Sequence, residues 1–125
     1  MIVVAIIGIL AAVAIPQYNN YVSKTKWRAA YAESASARSD IEIALSSGNS
    51  VALADIRVFA ITSHCANTIS GSAGNGIVFV CTVLGGPPGV AGSTISQSRA
   101  ASGGWTCESS AKQSYIGDLS LCTGN

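Results

Sequence analysis

The sequence predicts an α+β fold in which a long N-terminal helix packs on a small antiparallel β-sheet. The first fifteen residues are all apolar or glycine, and no charged residue precedes Lys24. Beyond it, apolar residues recur at three- and four-residue steps, and a β-branched stretch further along lies between two glycine-rich turns. The chain therefore divides into a hydrophobic segment, residues 1–23, and a globular head, residues 24–125.

The composition and the motifs of the chain give no sign of catalysis or of a charged partner. Charged residues make up 10% of the chain, against a usual quarter, and the formal net charge is +1, so neither nucleic acid nor a cation partner is indicated by overall charge. His64 is the only imidazole, and no phosphate loop, zinc-protease motif or calcium-loop spacing occurs. We therefore expect no catalytic residues, no cofactor and no metal site, and the chain is not expected to be an enzyme.

The N-terminal run allows three identities. A cleaved signal peptide requires a basic start, which is absent, although small residues at 11–14 resemble a cleavage site. A complete membrane span requires about 20 apolar residues, and Met1 to Ile15 would cover only about 22 Å of roughly 30 Å. The basic residues that follow the run at Lys24 would place the cysteines in the cytoplasm by the positive-inside rule. Both difficulties disappear if the sequence begins partway into a helix that was preceded by a basic leader.

The stretch MIVVAIIGILAAVAIPQYNNYVSK resembles the N-terminal signature of type IV pilins over about the first 28 residues. Gly8, the apolar run that ends at Pro16, and the tyrosines Tyr18 and Tyr21 fall where that family has them. The family's leader and its following stretch, commonly Phe-Thr-Leu-Ile-Glu-Leu, do not occur here. The methylated N-terminus and buried glutamate of the family are thus assigned to no residue, and we expect Met1 to be interior to the mature subunit.

The resemblance implies a subunit that polymerises into a type IV pilus, a helical homo-oligomer on the cell surface that serves motility, adhesion or DNA uptake. It implies anchoring in the inner membrane before assembly, a pilus assembly machinery as partner, and a Gram-negative source. A host surface or DNA would be a further partner. The alternatives are a type II secretion pseudopilin, which usually lacks the C-terminal disulfide loop, and a minor pilin acting as an adhesin or DNA receptor.

The resemblance also assigns roles within the hydrophobic segment. The large apolar side chains of the segment are expected to form the polymerisation helix: Ile2, Val3, Val4, Ile6, Ile7, Ile9, Leu10, Val13 and Ile15. Pro16 has no N–H for the carbonyl of Ala12, at a cost of about 3 kcal/mol in a helix interior. Gly8 adds a penalty of roughly 1 kcal/mol relative to alanine. We expect the helix to be broken or extended between Gly8 and Pro16 in the filament.

The head begins with an amphipathic helix, predicted over 24–47. Its apolar face is formed by Trp27, Ala30, Tyr31, Ala37, Ile41, Ala44 and Leu45, which we expect to cover the sheet. Gly48 is the candidate for a left-handed cap. A connecting loop, 48–64, follows, in which the secondary structure of 51–61 is not assigned.

The antiparallel sheet is predicted over 65–106. The β-branched run 77–83 is a strand, and a partner strand at 65–69 would form a hairpin around the glycine-rich turn 70–76. Shorter strands are expected at 94–97 and 105–108. The small, serine-rich stretch 90–104 is interpreted as an exposed sheet loop that tolerates charged substitutions.

Four cysteines allow three pairings. Zinc binding is disfavoured because even the nearest two cysteines are fifteen positions apart, whereas zinc sites usually contain close pairs. The hairpin carries cysteines on both arms and favours Cys65 with Cys81, which leaves Cys107 with Cys122 to bound a C-terminal loop, 107–122. The second pair also matches the resemblance, since Gly-Trp-Thr-Cys at 104–107 resembles the start of the family's disulfide loop, although the family's proline near the last cysteine is missing.

A basic cluster, Lys24-Thr25-Lys26-Trp27-Arg28, marks the end of the hydrophobic segment. Because cations meet lipid headgroups and Trp favours the interface, we interpret it as a membrane-exit collar in preference to a DNA-binding patch.

Overall fold

The computed structural model describes all 125 residues and has the predicted α+β architecture. Helix α1 spans Ile2–Ser46, and a short helix α2 spans Gln113–Ile116. The strands β1 (Cys65–Ser72), β2 (Gly76–Val83), β3 (Thr94–Arg99) and β4 (Trp105–Ser109) form one antiparallel sheet in the order β1-β2-β3-β4. This meander lies against one side of the C-terminal half of α1.

Helix α1 is about 67 Å long at ~1.5 Å per residue, and only its second half is covered. The covered face follows the three- and four-residue period: Ser23, Trp27, Ala30, Ser34, Ala37, Ile41 and Ala44. The helix ends at Ser46, and Gly48 follows with φ +73°, the left-handed conformation that glycine adopts without a Cβ penalty.

Trp27 belongs to the core of the head. Its ring stacks on Tyr31 at 5.1 Å between centroids, and its indole N–H donates to the Ser109 hydroxyl at 3.1 Å. The side chain is fully buried. The placement of Trp27 in a collar at the membrane interface is therefore wrong, because its position in the helical period turns it toward the sheet.

The sheet alternates between a buried face and a hydroxyl-rich outer face. Ile77, Phe79, Cys81 and Val83 of β2 point toward α1, and Ile95 and Gln97 of β3 lie beside them. These side chains and α1 form the hydrophobic core.

The stretch 90–104 is not an exposed loop. It contains β3, which lies between β2 and β4, and Val90, Ile95 and Gln97 are completely buried. A strand in the interior of a sheet has one face against the helix whatever its serine content. Tolerance to charge is therefore expected only at the exposed positions on either side of the strand, at 91–92 and near the turn at 100–102. The sheet also extends to Ser109, so Cys107 lies within β4 and the C-terminal loop begins inside the sheet.

Both edges of the sheet are partly covered by other segments, through one isolated bridge on each side. After turns at 53–57, the connecting segment runs along β1, where Ile61 bridges Ala66 and the Asn67 N–H donates to the Ala60 carbonyl at 2.7 Å. On the other edge, Thr123 bridges Glu108 of β4. Covered edges limit strand addition by other chains.

Candidate assembly surface

The hydrophobic segment projects from the head with its apolar side chains uncovered. Its large side chains expose between 51% (Ile6) and 79% (Ile2) of their surface, and the set comprises Ile2, Val3, Val4, Ile6, Ile7, Ile9, Leu10, Val13 and Ile15. The exposed apolar side chains are distributed around the whole circumference of the helix, as expected of a helix that lies in an apolar surrounding. A continuous apolar surface of this size marks a site of interaction with membrane or protein.

Helix α1 is also the one helix long and apolar enough to cross a membrane. None of its most apolar window is buried within the subunit. The surface is therefore available both to lipid and to other copies of the chain.

Gly8 and Pro16 lie within unbroken helix in the free subunit. A Cβ added to Gly8 would meet nothing within 4 Å, so packing inside the subunit does not explain a glycine there. Pro16 leaves the Ala12 carbonyl without its helical donor. The expected break in the filament concerns assembled subunits and stays a prediction.

The neck of the subunit, residues 18–28, joins the two halves of α1. Tyr18, Tyr21, Lys24 and Arg28 are exposed there. Lys26 turns toward the head, where its Nζ lies 3.5 Å from His64 Nδ1. No three His, Cys, Asp or Glu side chains come together as metal ligands. The neck thus offers cations and phenols beside an apolar surface, the combination found at membrane interfaces.

A buried polar clamp joins α1 to the middle of the sheet. Gln97 accepts a hydrogen bond from Arg38 Nε at 2.8 Å and donates to the Ser34 hydroxyl at 3.2 Å. The Arg38 guanidinium also lies over the Trp105 ring, 5.5 Å from its centroid, within cation–π distance. Because Gln97 is fully buried, its hydrogen bonds specify how the helix sits on the sheet.

A second polar contact lies nearer the end of α1. Glu42 accepts from Arg99 Nε at 2.7 Å and from Trp105 Nε1 at 2.8 Å. The hydrogen bonds from Arg99 and Trp105 hold the pKa of Glu42 below its usual value. Helix, β3 and β4 are thereby tied together at a partly exposed site.

Two disulfides lie on either side of these contacts. Cys65 is bonded to Cys81 with the Cα atoms 5.1 Å apart, and Cys107 to Cys122 with the Cα atoms 4.7 Å apart. The first links β1 to β2, and the second anchors the C-terminal loop to β4. The disulfide-closed loop is part of the predicted fold, and the structure contains it.

Sequence reasoning missed the polar contacts of the head. Ser34 continues the three- and four-residue spacing from Trp27 and Ala30, and Gln97 alternates with Ile95 along β3, so each had a positional signal. The burial of Ser34 and Gln97 was not predicted because a search for apolar periodicity does not include polar residues that are buried together with their hydrogen-bond partners.

Comparisons with known proteins agree with the geometry. Residues 23–119 match the family described as Pilin (bacterial filament). Fimbrial protein Q of Moraxella bovis is 32% identical over 124 residues, 86% of this chain and 79% of that protein. The Type IV major alpha-pilin of Moraxella bovis is 32% identical over 126 residues, with the same coverage of both chains. A Type IV major fimbrial protein FimA of Dichelobacter nodosus is 52% identical over 48 residues, which are 38% of this chain and 31% of that protein.

Proposed function

The chain belongs to the bacterial pilin family and is a structural subunit of a type IV pilus, and on this premise we propose that its hydrophobic segment occupies two apolar environments in turn. Before assembly, the segment lies in the inner membrane of a Gram-negative cell. After assembly, it packs against the same segment of neighbouring subunits in the filament core. The observation that carries this proposal is that none of the large apolar side chains of the segment is buried in the free subunit.

The free energy of exposing this apolar surface excludes water as a third environment. The exposed apolar surface of the segment is on the order of 1,000 Å², which corresponds to about 25 kcal/mol of transfer free energy as an upper bound. A subunit that carries this surface free in solution would aggregate. Lipid and filament core are both apolar, so the segment stays out of water in each.

Movement between the two environments gains little from the hydrophobic effect, since lipid tails are as apolar as the neighbouring helices. The free energy for extraction must then come from outside the subunit. This supports a pilus assembly machinery in the membrane as the partner that moves the subunit into the filament.

The head has the features of a part that must hold together under load. Two disulfides close loops within the sheet and at its edge, and the Gln97 clamp and the Glu42–Arg99 ion pair tie the sheet to α1. A force applied along α1 would be passed to the sheet through these bonds as well as through the core.

A charge in the hydrophobic segment tests the proposal. Ile6→Asp should abolish surface filaments, because a carboxylate would be buried in lipid or in the filament core without a partner. The matched control is Ser102→Asp, which places the same charge in an exposed turn of the head. Electron microscopy and immunoblotting of sheared filaments, with the membrane fraction measured in parallel, give the readout. Wild-type filament yield from Ile6→Asp would contradict the proposal.

A further inference from the structure

Outside helix α1, three large apolar side chains of the head are as exposed as those of the hydrophobic segment. Phe59 and Ile61 expose 77% and 73% of their surface, and Leu119 exposes 66%. None contributes to the core, although buried positions close to each in sequence do. Single exposed apolar residues are ordinary, but Phe59 and Ile61 lie two positions apart on one segment and form a patch.

The patch and Leu119 lie on opposite edges of the sheet. The segment that carries Phe59 and Ile61 runs along β1, where Asn67 Nδ2 donates to the Phe59 carbonyl at 3.0 Å. Leu119 lies in the C-terminal loop, which Cys122 ties to Cys107 of β4. The two surfaces therefore face outward in different directions and cannot meet within one subunit.

Both surfaces lie at a similar height along α1, just above the neck. Ile61 bridges Ala66, and the preceding Cys65 has its sulfur 3.7 Å from the carbonyl oxygen of Ala30. On the other side, a Cβ added to Gly117 would lie 3.7 Å from the Arg28 guanidinium. Subunits held side by side by their hydrophobic segments would thus bring the two surfaces close together.

The charges beside the two surfaces have opposite signs. Arg57 is exposed two positions before Phe59, and Asp118 is exposed next to Leu119. The only ion pair within the subunit joins Arg99 to Glu42, so neither charge is paired internally. Asp55, the acidic neighbour of Arg57, accepts a hydrogen bond from Ser50, and the Asp118 carboxylate accepts from the Ser120 N–H.

We propose that the patch of Phe59 and Ile61 on one subunit packs against Leu119 in the C-terminal loop of a second copy. A contact between two different surfaces of identical chains propagates without closing when the rotation does not form a ring, which is the geometry of a helical filament. The contact would be continuous with the packing of the hydrophobic segments and would fix the rotation of one head relative to the next. Arg57 of one copy would approach Asp118 of the other.

This inference rests on the proposed function, and its test separates the two. Phe59→Cys subunits and Leu119→Cys subunits are produced together with the unmodified chain, so that filaments assemble even if a variant alone does not. Sheared filaments are oxidised mildly and separated on a non-reducing gel. We expect a disulfide-linked dimer when both variants are present and none when either is present alone.

The control replaces Phe59→Cys with Thr68→Cys, an exposed position on the outer face of β1. That pairing should give no dimer. Filaments that contain both Phe59→Cys and Leu119→Cys subunits but yield only monomer would overturn the inference while leaving the proposed function intact. A dimer from Phe59→Cys alone would also overturn it, since it would indicate a symmetric contact. Failure of the unmodified chain to form filaments would instead refute the proposed function.

Discussion

Glu42 on the long helix and Arg99 on the third strand form the only ion pair of the subunit, with Arg99 Nε 2.7 Å from Glu42 Oε1. The two residues are 57 positions apart in sequence, and Trp105 donates to the same carboxylate oxygen from the next strand. A single carboxylate thus receives hydrogen bonds from two strands and orients the end of the helix on the sheet.

The lowered pKa of Glu42 predicts an acid-dependent loss of stability. A carboxyl group with a lowered folded-state pKa stabilises the fold at pH values above its unfolded value, about 4.5, and this contribution is lost as the pH falls through the folded value. Glu42→Gln should therefore reduce stability at neutral pH and make the unfolding midpoint less sensitive to acid. Urea denaturation of the full chain in detergent across this range measures the effect.

The difference between variant and parent isolates Glu42, because Asp118 also has a lowered pKa, through its hydrogen bonds with Ser120, and titrates in both proteins. Glu108→Gln is the matched control, since Glu108 is exposed on β4 and receives no hydrogen bond. Equal pH profiles for Glu42→Gln and the parent would show that the ion pair contributes nothing.

Removal of the Gln97 side chain should be among the more damaging single changes in the head. Gln97→Ala would leave Arg38 and Ser34 without their shared partner, at a cost of about 2 kcal/mol. Ser96→Ala, one position away on the outer face of the same strand, should change stability by less than ~0.5 kcal/mol. Thermal unfolding of both variants tests whether β3 is interior, and equal losses would argue against the clamp.

The two disulfides should be intramolecular and should stabilise the head. Non-reducing peptide mapping is expected to link Cys65 to Cys81 and Cys107 to Cys122. Replacement of Cys107 and Cys122 by serine should lower the unfolding free energy by about 3 kcal/mol, as the chain-entropy model gives for a loop of this size, 15 residues of separation. A peptide joining Cys65 to Cys107 would contradict the pairing.

In the assembled filament, the helix should lose α-helical density somewhere between Gly8 and Pro16. Inside lipid, the free subunit must keep its backbone hydrogen bonds, whereas neighbouring helices in the filament can shield a melted stretch. Pro16→Ala should restore the missing hydrogen bond and give filaments that are stiffer or fail to assemble. Pro88→Ala, in an exposed loop of the head, is the control.

A filament reconstruction by electron microscopy provides the measurement. Continuous helical density from Met1 through Ser46 in the native filament would refute the break. The same density in Pro16→Ala filaments alone would support the assignment of the break to Pro16.

The amino-acid sequence was sufficient to predict the elements that depend only on residues close together in the chain. The hydrophobic segment follows from composition, the buried face of α1 from the spacing of Trp27, Ala30, Ala37 and Ile41, and the hairpin from β-branched residues on either side of glycines. These features depend on neighbours within a few positions. They do not require knowledge of which strand lies beside which.

Only the tertiary structure decided which polar residues are buried. The stretch 90–104 is predicted to be a solvent-facing loop because its residues are small and rich in serine. In the structure, β3 lies between β2 and β4. Gln97 of β3 is buried in contact with Ser34 and Arg38. Burial of Gln97 depends on hydrogen-bond partners that are 59 or more positions away, and the local sequence does not specify those partners.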